Sequence, residues 1–235
     1  MFDQLRAQHV SRLAPSGLGD PIEMAPGLEL LGADLHPYSV FLFCGLLPWT
    51  WFASSLSDGA SVLILNGNLI KKVMFPAEIL PVVAVVSNMI HFLFGLPILF
   101  GFLWLNGISL RPIELVWFPL VLAVQFILTL GLAMVLASLT VHFRDIKDLL
   151  ANLLTLWFFA TPIIYPMSAV PAGGKIFYDL NPFSHLAISY QEILFYDGPF
   201  GHWKWLLALA VGGTGLFVLG YWLFDRLRDS FADEV

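Results

Sequence analysis

Charge is what this sequence has least of. Only 12% of its 235 residues are Asp, Glu, Lys or Arg, while 58% are hydrophobic and the mean hydropathy is +0.81. A water-soluble domain carries about 25% charged residues because its surface must be wetted. Most of this chain's surface therefore faces something other than water. The single cysteine, Cys44, excludes an internal disulfide and a cysteine-based metal cluster. No Asn-x-Ser/Thr glycosylation acceptor occurs. The net charge of −6 is dispersed and offers no basic face for nucleic acid. Nucleotide chemistry is missing as well. The nearest approach to a phosphate loop, "AVPAGGKI" at 169–176, lacks the leading glycine and ends in Ile where Ser or Thr must hold magnesium. No His/Cys/Glu cluster has metal-ligand spacing, and no Ser/His/Asp grouping stands out. His91, His142, His185 and His202 are scattered and read as structural or interfacial residues. No catalytic residue, metal or cofactor is expected in this chain, and any energy it uses must come from another subunit.

Long charge-free runs are what it has instead. They cover 39–57 (extendable past Asp58 to Ile70), 79–110, 115–141, 149–174 and 205–224. About 20 apolar residues cross a hydrocarbon core as a helix. None of the runs alternates with period two, as barrel strands do, and helices satisfy their own backbone groups where lipid cannot. The fold class expected is an all-α integral membrane protein with five transmembrane helices.

Orientation follows from lysine and arginine. Lys71, Lys72, Arg144, Lys147, Arg226 and Arg228 lie in three short segments on one side, against Arg111, Lys175 and Lys204 between spans on the other. The first side is read as cytoplasmic. The outer segment 167–203 contains apolar pieces, and Asn181-Pro182 is a strong helix start: Asn caps, and Pro suits a first turn whose amide has no partner. A re-entrant or interfacial helix is expected near 183–195. Residues 1–36 are polar, hold no run long enough to span and form a segment apart from 37–235; they lack the apolar core of a signal peptide.

Two stretches on the basic side stand out. "NGNLIKKVMFPAEILP" (66–81) combines Asn68, Lys71, Lys72, Phe75, Pro76 and Glu78; a short amphipathic helix lying across the membrane end fits it, and the chain turns at Pro76, after which the next span begins afresh. "HFRDIKDLL" (142–150) is a charged elbow set against 26 charge-free residues, and Arg144 and Asp148 at i, i+4 suit an ion pair on one helical face. Trp157, Phe158 and Phe159 fall within the fourth span rather than at its edge. Thr161-Pro162 and Tyr165-Pro166 bend its far end. Most other aromatics, such as Trp49, Trp104 and Trp117, sit near span ends, where aromatic belts are ordinary.

"PYSVFLFCGLLPWTWFASSL", "NLIKKVMFPAEILPV", "FRDIKDLLANLLTLWFFATPIIYP" and "NPFSHLAISYQEILFY", in this order, resemble the signature run of type-2 ABC exporter permeases, in the branch that exports O-antigen, capsule and teichoic-acid polysaccharides. The resemblance covers about residues 37–225. It implies a homodimeric pore in a bacterial inner membrane, two separate ATPase subunits that consume ATP and Mg²⁺, and a polysaccharide or lipid-linked glycan as cargo. It implies that 66–78 is the main coupling segment and that the elbow, through Arg144, Asp145 and Asp148, is a second contact. On this reading Trp157, Phe158, Phe159 and Tyr165 wall the glycan path. A sibling permease for a drug, lipid or other small amphiphile is the alternative. A membrane acyl- or glycosyltransferase would need a catalytic cluster that the chain lacks, and a channel would need more ionisable lining than Asp58. Such permeases open with an amphipathic helix and a further span, giving six; residues 1–36 match neither.

Cysteines introduced at positions 72, 145 and 178 test the topology. A membrane-impermeant thiol reagent added to whole cells should label only position 178; labelling of the other two reverses the orientation.

Overall fold

The computed structural model describes residues 37–72, 76–166, 175–196 and 198–234. The segment 1–36 and Phe75 lie outside the described residues. The described residues form nine helices: α1 Tyr38–Leu65, α2 Gly67–Lys72, α3 Ile79–Leu105, α4 Pro112–Leu115, α5 Phe118–His142, α6 Ile146–Phe159, α7 Lys175–Leu180, α8 Pro182–Leu194 and α9 Trp203–Glu234. Among them, α1, α3, α4–α5 and α9 up to Arg228 supply four stretches long and apolar enough to cross a membrane. Large apolar side chains such as Phe94, Ile98, Trp104 and Val211 are exposed on the outside of the bundle, as a lipid-facing surface requires.

The fourth charge-free run is the one that differs from a simple span. Its helix, α6, ends at Phe159 after 14 residues. At about 1.5 Å per residue this is roughly 21 Å, short of a 30 Å hydrocarbon core. Pro162 and Pro166 remove two amide donors, and the chain continues as irregular backbone through 160–166. That stretch is buried against protein: Thr161, Pro162 and Ile163 are buried, Gln191 donates to the Pro162 carbonyl at 3.0 Å, and Tyr38 donates to the Ile164 carbonyl at 2.9 Å. Non-helical backbone at membrane depth is tolerated only when protein covers it. Four membrane-crossing stretches and one segment interrupted at Phe159 thus account for the five runs.

The expected inner helix near 183–195 is α8, and Asn181 caps it as its sequence indicates, accepting from Phe183 N at 3.0 Å. Asp58 sits inside α1, which runs on to Leu65, and accepts a 2.7 Å hydrogen bond from Asn88 of α3. The α3 helix stops at Leu105 rather than 110, through a Schellman turn. Ile108 N bonds to Leu103 O, Gly107 N bonds to Trp104 O, and Gly107 takes φ +72°, a conformation glycine adopts without penalty.

Helices α1, α3, α5 and α8 share one core, with Trp51, Phe52, Leu99, Leu103, Tyr190 and Phe183 almost fully buried. Lipid gives helices no hydrophobic reason to associate, so close backbone approach through small residues substitutes for it. The α5–α9 contact shows this. A methyl placed on Gly131 would lie 2.7 Å from the Phe217 nitrogen, and one on Gly220 would lie 2.6 Å from the Gly131 oxygen. Neither obstacle is a side chain that can rotate away. Gly131→Ala should therefore cost about 1–3 kcal/mol, the usual range for overpacking. Gly212→Ala, which meets nothing within 4 Å, should be neutral. Thermal unfolding of the two variants in detergent checks this.

Candidate functional site

Two regions at opposite ends of α6 collect the residues singled out by sequence. At the basic end, Asn68 and Lys71 are exposed on α2, Lys72 closes it, and Pro76 is exposed where the chain turns into α3. Glu78 is half-buried, and one of its carboxylate oxygens is buried without a partner among the described residues. Arg144, Asp145 and Asp148 are all exposed. Leu63, Ala77 and Leu80, which flank α2, share one apolar cluster with Ala137 and Val141 at the end of α5. The two basic-side segments therefore emerge side by side. Arg144 lies in the turn before α6, with Asp145 at the N-cap position. The i, i+4 spacing of Arg144 and Asp148 consequently does not place them on a common helical face.

At the other end, α6 borders a groove with α1. Its volume is about 710 Å³, lined by Trp49, Ser54, Ser57 and Asp58 of α1, Asn88 of α3, and Thr155, Phe158 and Phe159 of α6, among others. Ser, Thr, Asn and Asp supply hydrogen-bonding groups beside three aromatic rings. The Asn88 amide also donates to the Ala84 carbonyl at 3.0 Å, which fixes its orientation toward Asp58. Phe158 and Phe159 line this groove. Trp157 does not: its ring meets Phe52 edge-on at 5.4 Å, and its indole N–H donates to Asn181 Oδ1 at 2.7 Å. Tyr165 lies beyond the helix end, donating to the Phe159 carbonyl at 2.9 Å and 2.7 Å from the Tyr178 hydroxyl. Ser54 and Ser57 were not legible as site residues. Serine in a span is common, and only the packing of α1 against α6 shows which ones face the groove.

A polar cluster absent from the sequence reading closes the outer side. Glu114 of α4 accepts from Phe200 N at 2.9 Å. Arg111 donates to the carbonyls of Tyr196 and Gly198. Glu192 of α8 accepts from Gly201 N at 3.0 Å and His202 N at 3.1 Å. His185 Nε2 lies 2.9 Å from the Asp179 carbonyl, which can only accept, so in the neutral ring this nitrogen carries the proton and Nδ1 accepts from His202 Nε2 at 3.0 Å. His185 also stacks on Trp205 at 4.2 Å. Together these bonds tie Tyr196 and residues 198–202, ahead of α9, to α4 and α8.

Burial, with a smaller contribution from His185, lowers the pKa of His202 to about 4, outweighing the pull of Asp179. Burial raises that of Glu192, against the backbone donors of Gly201 and His202, and Glu114 adds to the rise. The folded state binds fewer protons at His202 than the unfolded chain between about pH 6.5 and 4, so this contribution to stability is lost as the pH falls through that window. Glu192 acts with the opposite sign, its contribution fading as pH rises above the ordinary carboxylate range. The thermal transition should drop on acidification from pH 6.5 to 4, and His202→Gln should flatten that drop.

The chain was compared with known proteins. The ABC-2 type transporter family matches residues 14–195. An O-antigen export system permease protein of Myxococcus xanthus is 38% identical over 204 residues, spanning 86% of this chain and 78% of the relative. Two O-antigen export system permease proteins of Klebsiella pneumoniae are 31% and 32% identical, each covering 87% of this chain and 78% of the relative.

Proposed function

Because the chain belongs to the ABC-2 type transporter family, we propose that it is the membrane-spanning permease subunit of an ATP-driven exporter, moving a polysaccharide or lipid-linked glycan across the bacterial inner membrane. The relatives named as O-antigen export permeases support that cargo. The observation that carries the reading is the α1–α6 groove. Sugars present hydroxyls at their edges and C–H bonds on their faces, and the groove offers both partners: Ser54, Ser57, Asp58, Asn88 and Thr155 for the former, Trp49, Phe158 and Phe159 for the latter. The Asp58 carboxylate can accept further hydrogen bonds beyond the one it takes from Asn88, a capacity that suits sugar hydroxyls.

ATP and Mg²⁺ are handled by two separate ATPase subunits, and this chain binds no cofactor of its own. The permease works as a homodimer, with the exposed apolar side chains of α6, Leu149, Leu153 and Leu156, available to a second copy. Lys71 and Lys72, with Asn68, Phe75, Pro76 and Glu78, form the main docking segment, and the elbow of Arg144, Asp145 and Asp148 is the lesser one. Helix α6 is suited to transmit movement. Only Leu150 and Leu154 of it are buried, while its outer end is pinned through Trp157 to Asn181, so a push at the elbow tilts α6 and changes the width of the groove beside Phe158 and Phe159.

The experiment is co-purification followed by ATP turnover and glycan export in the same reconstituted complex. Lys71→Glu with Lys72→Glu should reduce ATPase association at least tenfold. Arg144→Glu with Asp145→Lys should keep most of the association while lowering export per ATP severalfold. A wild-type complex that contains the ATPase yet moves no glycan would assign the cargo to another class. An elbow variant that exports normally, with unchanged turnover, would remove the coupling role from the elbow.

A further inference from the structure

The last helix ends in a charged stretch, "DRLRDSFADE", that carries an apolar residue deep in the protein. Phe231 is fully buried, although it lies beyond the membrane-crossing part of α9, which ends at Arg228. Phe224, Leu227 and Phe231 are spaced i, i+3 and i+7, so they share one face of the helix. Phe224 meets Phe231 edge-on at 5.1 Å, and the His142 ring lies 6.4 Å from Phe231.

The face these residues meet is specific. Phe224 and Phe231 form a core cluster with Leu63, Ala77, Leu80, Ala137 and Val141, separate from the main core of the bundle. Leu63 precedes α2, and Ala77 and Leu80 follow it. Val141 and His142 end α5 and lead into the elbow. One apolar cluster, in which the Phe231 ring lies 5.1 Å from Phe224 and 6.4 Å from His142, thus joins the structural supports of both segments assigned to the ATPase. The other end of the linkage is equally firm, since Gly131 and Gly220 bring the α5 and α9 backbones into direct contact. Packed interiors move as bodies rather than deforming smoothly, so whatever displaces α2 displaces the α5–α9 pair too.

We propose that Phe231 is a positioning residue for energy coupling: it latches the basic end of α9 to the supports of both ATPase-facing segments, so that docking at either one moves α2, the elbow and the α5–α9 pair together. This rests on the reading of 66–78 and 142–148 as ATPase-facing, and adds to it the tail of the last helix.

Two measurements on the full chain test the latch. The first is amide hydrogen exchange of the permease alone in nanodiscs. Phe231→Ala should speed exchange severalfold in both 66–80 and 140–146, and Phe231→Leu, which retains most of the volume, should lie between it and wild type. Unchanged exchange at either segment overturns the proposal, whether or not an ATPase partner exists. The second is export per ATP in the reconstituted complex, normalised to inserted and ATPase-bound protein. Phe231→Ala should keep ATPase association and turnover within about twofold while export per ATP falls at least fivefold, and Phe231→Leu should recover most of it. A loss confined to ATPase association or to the amount inserted, with coupling per complex intact, means Phe231 serves folding alone and overturns the proposal. If Phe231→Ala does not insert, a Phe231→Leu variant identical to wild type in both measurements overturns it as well. A wild-type chain that brings down no ATPase would refute the exporter reading by itself, and the exchange result would still decide the latch.

Discussion

The Asn181 side chain holds the point on which the arrangement depends. A backbone crossing lipid cannot leave its amides and carbonyls unpaired, yet this chain abandons helical geometry at Phe159. Asn181 resolves much of that conflict with one amide group. Its oxygen accepts from the Trp157 indole at 2.7 Å and from Phe183 N at 3.0 Å. Its nitrogen donates to Thr161 Oγ1 at 3.0 Å and, at a longer 3.4 Å, to the Ala160 carbonyl. Every hydrogen-bonding capacity of the side chain is engaged. The same residue thereby ends α6 and begins α8, and fixes the angle between them.

Much of the architecture follows from that junction. With α6 stopped short, α8 can turn back into the bundle, where Phe183, Leu186, Ala187 and Tyr190 are fully buried. The rings of Trp49, Phe52, Trp157 and Phe183 then meet at centroid distances of 4.7–6.4 Å, a geometry in which aromatic pairs add to simple burial. Along the rest of α6, Leu150 and Leu154 are buried and the Phe158 ring lies 5.7 Å from Trp49, while its groove with α1 remains open. A firm outer pivot and a loosely held shaft are what a segment needs if force applied at one end is to open a path at the other.

The two ends of the protein are built from different physics. The outer end is held by directed bonds: Glu114, Glu192 and Arg111 each grip backbone groups of 196–202. The basic end is held by shape, through a small apolar cluster around Phe224 and Phe231. Directed polar bonds in a half-buried site respond to protonation. An apolar cluster responds only to displacement.

The sequence by itself determined the membrane class, the location of the crossing runs, the start of α8 and the turn at Pro76 that leads into α3. These depend on composition, charge placement and the covalent limits of proline and asparagine, all of which act locally. The family, too, was legible in long motifs that do not depend on packing. Only the tertiary structure decided which side chains of a span face a groove. Ser54 and Ser57 read like any other serines until α6 was placed beside α1, and Trp157 read like its two neighbours until Asn181 was found within reach. Nor could the sequence show that Arg144 stands ahead of its helix, because helix starts shift by a residue or two with the caps available. The Phe224, Leu227 and Phe231 stripe was visible in principle. What it packs against was not, because its partners lie some 80 to 170 positions away along the chain, and contacts that distant are set by how helices pack rather than by any local pattern.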